Sequence, residues 1–269
     1  MVEVAGGAYA GSLALIADAG HMLTDAAALA LAWYAFRLGR RPADPRRSFG
    51  YHRAQVLAAF VNGGVLVAVV IWIAVEAVQR LFEPIAVLGG PMLAVGLAGL
   101  VVNLVAFALL RDGRDNMNVR AAALHVIGDL LGSAAAVAAA LVIVEAGWTP
   151  IDPILSVAVA ALVLRSAWGL LRQSGHILLE GTPDWLDVER LRVELSAVVP
   201  GVEDVHHVHV WSMTSERSLL TLHVQVTQGT DRDHVLQSIQ TYLSKHYGIG
   251  HSTIQIETSC EDQGAVHHA

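Results

Sequence analysis

Five stretches of this 269-residue chain are so apolar that no fold leaving them in water is open to it. They run 12–38, 54–78, 85–110, 119–144 and 153–171, close to or above the roughly 20 helical residues a hydrocarbon core requires. The whole chain is 54% hydrophobic and 15% charged, with a mean hydropathy of +0.52, which excludes an ordinary soluble domain. The formal net charge is −7 and no basic face emerges, so nucleic acid is not an expected partner. Residues 1–11 are too short to span a bilayer and lack the basic start of a signal peptide. They read as the end of a helix whose beginning is missing, so that five complete spans and an N-terminal stub imply six.

Arginine sets the orientation. Arg37, Arg40, Arg41, Arg46, Arg47 and Arg53 crowd the first connection and Arg111, Arg114 and Arg120 the third, whereas 145–152 contains no Arg or Lys. The first and third connections are therefore cytoplasmic, as is the chain beyond Arg172. From Glu180 the composition becomes that of a soluble module. Residues 185–198 carry helical periodicity through Leu186, Val188, Leu191, Val193 and Leu195; 205–211 and 219–226 read as strands, 231–247 as a helix and 253–257 as a last strand. The expected division is a membrane domain over 1–178, a cytoplasmic α+β domain over 179–260 and a flexible tail over 261–269.

Two polar pairs interrupt the apolar spans. His21 and Asp25 stand four residues apart on one helix face, and His125 and Asp129 repeat the spacing in another span. Each buried Asp costs about 2.5–3.5 kcal/mol on insertion scales, so a cation must visit. The first helix runs inward and the second outward, with both pairs near mid-bilayer, which sets His21 beside Asp129 and Asp25 beside His125. Two imidazole nitrogens and two carboxylates suit tetrahedral Zn²⁺. A single pair is equally well read as a hydrogen bond that pins helix packing, and a metal-free proton relay stays open. Asp18, one turn away, reads as a wetted vestibule residue, Asn62 and Asn103 as interhelical donors, and Thr24 and Ser133 as packing residues. An intramembrane metal-dependent enzyme is the other function class; four protein ligands would leave such a metal no position for water, and neither a His-Glu-x-x-His nor a Gly-x-Ser-x-Gly motif occurs.

At these residues the chain resembles the cation diffusion facilitator family, in its zinc-type branch. Ser12 to Asp25 looks like that branch's second membrane helix and His125-Val126-Ile127-Gly128-Asp129 like its fifth. Ser48-Phe49-Gly50-Tyr51-His52-Arg53 is similar to the loop entering helix three, and Leu178 to Pro183 to the junction with the cytoplasmic domain. Val205 to Ser212 and Leu219 to Val224 resemble the first two strands of that domain. The resemblance implies a homodimer of six-helix protomers that exports divalent metal from the cytoplasm in exchange for protons, in the cytoplasmic membrane of a bacterium. It implies His21, Asp25, His125 and Asp129 as the ligands, and a ferredoxin-like cytoplasmic domain. The histidine in the helix-two pair implies preference for zinc over cadmium, while Co²⁺, Ni²⁺ and Fe²⁺ accept similar ligands.

The resemblance also implies secondary sites. His206, His223 and Glu257 match positions that bind regulatory metal at a dimer interface, with His251 similarly placed and Gln255 where some members carry a ligand histidine. His207 and His209 are weaker candidates, and plain surface histidines are the competing reading. A loop site of one Asp and two His is expected to be absent, since Asp44 remains but Arg47 and Tyr51 replace the histidines and His52 is displaced by one. Arg53 and Glu180 occupy the positions of an ion pair between the two parts. Cys260, at the end of the cytoplasmic domain, with His267 and His268 of the tail could add metal affinity, and a disordered terminus is the preferred reading.

Overall fold

The structure is a computed structural model describing residues 2–111 and 117–258, with only the backbone described for 2–4, 110–111 and 117–125. Six helices come first: α1 (Val2–Ala10), α2 (Leu13–Gly39), α3 (Ala54–Phe82), α4 (Gly89–Arg111), α5 (Met117–Ala146) and α6 (Ile151–Leu178). Then follow α7 (Val188–Val198), β1 (Val202–Ser212), β2 (Ser218–Val226), α8 (Arg232–Tyr247) and β3 (His251–Glu257). Five helices, α2 to α6, carry segments long and apolar enough to cross a membrane. Two compact units form: one gathers Ala35–Leu57 with the chain from Gln173 onward, the other the remaining described residues.

In the first unit, small residues let the helices close up. Ala136, Ala139 and Ala140 of α5 are fully buried, in one cluster with Ala14 and Leu15 of α2 and Met92 of α4. Helix α2 begins where Gly11 adopts φ +68 and Ser12 caps the first turn, accepting from Leu15 N at 3.2 Å. Its amino end is also held by α6. The Asp152 carboxylate accepts from Ser12 Oγ at 2.6 Å, Leu13 N at 2.7 Å and Ala14 N at 3.1 Å. Arg80 of α3 lies 3.9 Å from that carboxylate and donates to Gly11 O at 2.6 Å. Negative charge thus meets the positive end of the α2 dipole in a fully buried place.

Helix α4 starts at Gly89 rather than at Ile85. Pro84 and Pro91 bracket the difference, and Leu88 N donates to Ala10 O at 2.8 Å, holding the chain extended before the helix begins. At its far end α6 continues to Leu178, beyond the last residue the hydropathy marks.

The second unit stacks α7 and α8 on one face of a three-stranded sheet of order β1-β2-β3, with β1 antiparallel and β3 parallel to β2. The parallel pair requires a crossover, which α8 supplies. Alternation along β2 sends Leu220, Leu222, Val224 and Val226 into the core and leaves Thr221, His223 and Gln225 on the open face. Helix α7 starts at Val188, because Asp187 caps it by accepting from Arg190 N. Leu186, Leu191 and Leu195 are buried as the periodicity implies, whereas Val193 lies opposite Leu191 and Leu195 and is exposed. Strand β1 breaks alternation: Val205 and Val210 are both core residues, an odd separation that a regular strand cannot accommodate. The register with β2 shifts between His206 and His209, and His207 takes φ +47, so a β-bulge carries the extra residue.

Candidate metal centres

In the first unit, α2 and α5 bring three of the expected ligands together. His21 Nε2 lies 3.6 Å from Asp25 Oδ2 on its own helix and 3.8 Å from Asp129 Oδ1 on α5. Donor atoms on one tetrahedral zinc, at bonds of about 2.0–2.2 Å, sit about 3.3 Å apart, so this set fits with a slight contraction. A single imidazole nitrogen faces both carboxylates, an arrangement that could hold a divalent cation between them. His125 occupies α5 four positions before Asp129, but its side chain lies outside the described residues.

Asp18 departs from the sequence reading. It is buried, 4% exposed, and accepts from Ser133 Oγ at 3.2 Å, while Ser133 itself accepts from Asn103 Nδ2 at 3.0 Å. Ser133 is therefore a hydrogen-bonding residue rather than packing alone, and Asn103 is the interhelical donor expected. Asp18 and His21 line one cavity of about 180 Å³, together with Gly128 and Gly132 and apolar residues of α3 and α6. Sequence alone leaves this unseen, because Asp18 finds its partner in α5, far along the chain. Thr24 donates to Gly20 O at 2.6 Å, satisfying its hydroxyl within the helix.

A second set stands on the open face of the cytoplasmic sheet. His206 and His223 are cross-strand partners, and Glu257 of β3 reaches both: its carboxylate is 2.9 Å from His223 Nδ1 and 3.5 Å from His206 Nε2. The opposite nitrogen of His206 lies 3.1 Å from Asp204 Oδ2, a carboxylate that fixes the ring's orientation and tautomer. Gln255 donates to Glu257 Oε1 at 2.6 Å, so where other chains are expected to place a histidine this one orients the neighbouring carboxylate.

His251 does not join this set. It stands six positions before Glu257 on one strand, about 20 Å at strand rise, and its ring lies edge-on to Phe49 at 6.1 Å. His207, weighted lightly by its sequence, has its ring 5.4 Å from that of His206 and 5.1 Å from that of His223. His209 lies along a separate recess with Phe49, Arg53 and Trp211.

The loop before α3 is self-contained. Asp44 accepts from Tyr51 Oη at 2.9 Å, Arg46 N at 2.8 Å and Arg47 N at 2.9 Å. The Tyr51 hydroxyl above all, with the Arg46 amide, holds its carboxyl below the usual value. Those bonds occupy the oxygens a metal would need. Arg53 Nη2 lies 3.2 Å from Glu180 Oε1, and Arg217 Nη1 is 3.4 Å from His52 Nε2. Cys260, His267 and His268 lie outside the described residues.

Comparison with known proteins matches residues 1–179 to the cation efflux transmembrane domain and residues 183–259 to the cation efflux protein cytoplasmic domain. A zinc transporter ZitB of Pectobacterium atrosepticum is 53% identical over 271 residues, spanning 100% of this chain and 84% of that protein. The ZitB of Escherichia coli is 54% identical over 96% of this chain and 82% of its own length. A cadmium, cobalt and zinc/H(+)-K(+) antiporter of Bacillus subtilis is 40% identical over 97% of this chain and 86% of that protein.

Proposed function

This chain belongs to the cation efflux family of membrane transporters, and from that membership we propose that it carries Zn²⁺ out of the cytoplasm in exchange for protons. The observation that carries the reading is His21 Nε2 standing within 3.8 Å of carboxylates on two apolar helices. His21, Asp25 and Asp129 are the ligands, and His125, one turn before Asp129, is the fourth. Neutral imidazole ligates metal and imidazolium does not, so protons and zinc compete for one site. Facing the cytoplasm, the site loads Zn²⁺ as protons leave; facing outward, protons return and the metal departs.

Relatives named for zinc at 53% and 54% identity favour zinc as cargo. The 40% identical antiporter named for cadmium, cobalt and zinc makes a broader cargo the second reading, and its name supports proton coupling. In this reading 1–178 form the membrane domain, 179–260 the cytoplasmic domain and 261–269 a tail. The cytoplasmic domain joins two copies of the chain and binds metal through His206, His223 and Glu257.

Flux in proteoliposomes tests the transport site. Zn²⁺ uptake driven by a proton gradient is expected for the native chain and lost in Asp25→Ala and in Asp129→Ala; undiminished flux in either variant sinks the assignment. Co²⁺ and Cd²⁺ run in parallel decide between the two cargo readings.

A further inference from the structure

We propose that His207 is the fourth ligand of the cytoplasmic metal site, delivered to it by the β-bulge in β1. The proposal rests on the reading of His206, His223 and Glu257 as metal ligands and extends it to a complete tetrahedral set within one protomer.

Three separate observations converge on it. On a regular strand, neighbours point to opposite faces, so His206 and His207 could not both approach His223. The bulge removes that prohibition: the ring centroids of His206, His207 and His223 stand 5.4, 5.6 and 5.1 Å apart in the three pairings. Imidazoles bound to one tetrahedral zinc, with Zn–N bonds of about 2.0–2.1 Å, hold their centroids about 5 Å apart. All three pairs have that separation at once.

The backbone supplies the second observation. His207 has φ +47, one of only two non-glycine residues with positive φ among those described. A left-handed conformation in the middle of a strand is costly for a residue with a Cβ, and glycine would relieve it. Retaining histidine there accepts the strain in exchange for an imidazole at this spot.

The third is the chemistry of the other donors. His206 presents Nε2 to the cluster because Asp204 holds Nδ1, and Glu257 presents an oxygen because Gln255 holds its carboxylate. Those three have donor atoms within 4.8 Å of one another and leave a tetrahedral metal one position short; the His207 ring stands beside two of them, and turning it brings its nitrogen to that position. The ligand class is a borderline divalent cation, Zn²⁺ first, held by three nitrogens and one oxygen.

Co²⁺ absorption tests this on the full chain in detergent, with Asp25→Asn and Asp129→Asn introduced to silence the membrane site. Tetrahedral Co²⁺ gives intense d–d bands, and five- or six-coordinate Co²⁺ gives weak ones. The background protein is expected to show the intense bands. His207→Gly, which suits the positive φ, and His207→Asn, which tolerates it, should both weaken Co²⁺ binding at least tenfold and replace the bands with weak ones. His223→Ala should remove binding altogether. Intense bands and full affinity in both His207 variants, with binding still lost in His223→Ala, overturn the proposal and leave a three-residue site. Unchanged binding in His223→Ala means that the cytoplasmic site itself is wrongly assigned.

Discussion

Ser12 and Asp152 stand 140 positions apart in sequence and 2.6 Å apart in space, hydroxyl to carboxylate, with both residues fully buried. The bond belongs to a cap in which α6 holds the first backbone N–H groups of α2. A helix carrying His21 and Asp25 as proposed ligands must be fixed along its axis, because one residue of slip moves each side chain by about 1.5 Å and turns it through about 100°.

Asp152→Ala therefore leaves two helix N–H groups and the Arg80 guanidinium without their common acceptor. Removing one partner of a buried charged network costs about 3–5 kcal/mol. A lowered melting temperature in detergent, with reduced Zn²⁺ flux from the surviving protein, is the expected outcome, and Asp152→Asn should recover part of both. Native stability in the alanine variant would show that the cap contributes nothing.

Glycines 128 and 132 make a matched pair on α5. A Cβ at Gly132 would stand 2.8 Å from Asp18 Oδ1, whereas nothing lies within 4 Å of one at Gly128. Gly132→Ala should displace the buried carboxylate and cut zinc flux severalfold, and Gly128→Ala should leave the fold stable. Equal flux and stability in the two variants would argue that the position of Asp18 is immaterial.

These relationships mark where sequence reasoning stops. Hydropathy delimits the spans because burial in lipid demands it of every residue, and helical spacing brings His21 and Asp129 together because depth and direction are countable. Asp152 is different. From sequence it is an acid at the end of a short connection, and its meaning depends on an amide 139 positions away. His207 is hidden for a related reason: simple alternation from Val205 turns its side chain toward the core, and only the register against β2 reveals the extra residue. Asp18 likewise looks solvated until Ser133 is seen beside it.

Arg53 and Glu180 meet at 3.2 Å with side chains 33% and 64% exposed. An exposed pair of this kind contributes at most about 1 kcal/mol to stability. Either single alanine variant should melt close to the native protein. A charge exchange, Arg53→Glu with Glu180→Arg, should restore any flux that Arg53→Glu alone loses. Additive effects in that double-mutant cycle would remove the pair from the transport mechanism.

Glu194 joins the two helices of the cytoplasmic domain, accepting from Tyr242 and Tyr247 on α8 and pairing with Arg190 one turn before it on α7. The Tyr247 hydroxyl first, then Arg190, holds its carboxyl at about 2, well below the usual glutamate range. A depressed carboxyl stabilises the folded state above its unfolded value and loses that contribution as pH falls through the folded one. Burial and the neighbouring Glu194 raise Tyr247 to about 12, so its contribution is present below the ordinary tyrosine value and fades as pH rises toward 12. Glu194→Gln should therefore flatten the loss of cytoplasmic-domain stability between about pH 4.5 and 2, read as urea unfolding monitored by tryptophan fluorescence of the full chain. It should also shrink the alkaline loss, since Tyr247 without that carboxylate lies nearer the ordinary tyrosine value. An acid limb that keeps its native slope in Glu194→Gln would assign the acid sensitivity to other carboxylates.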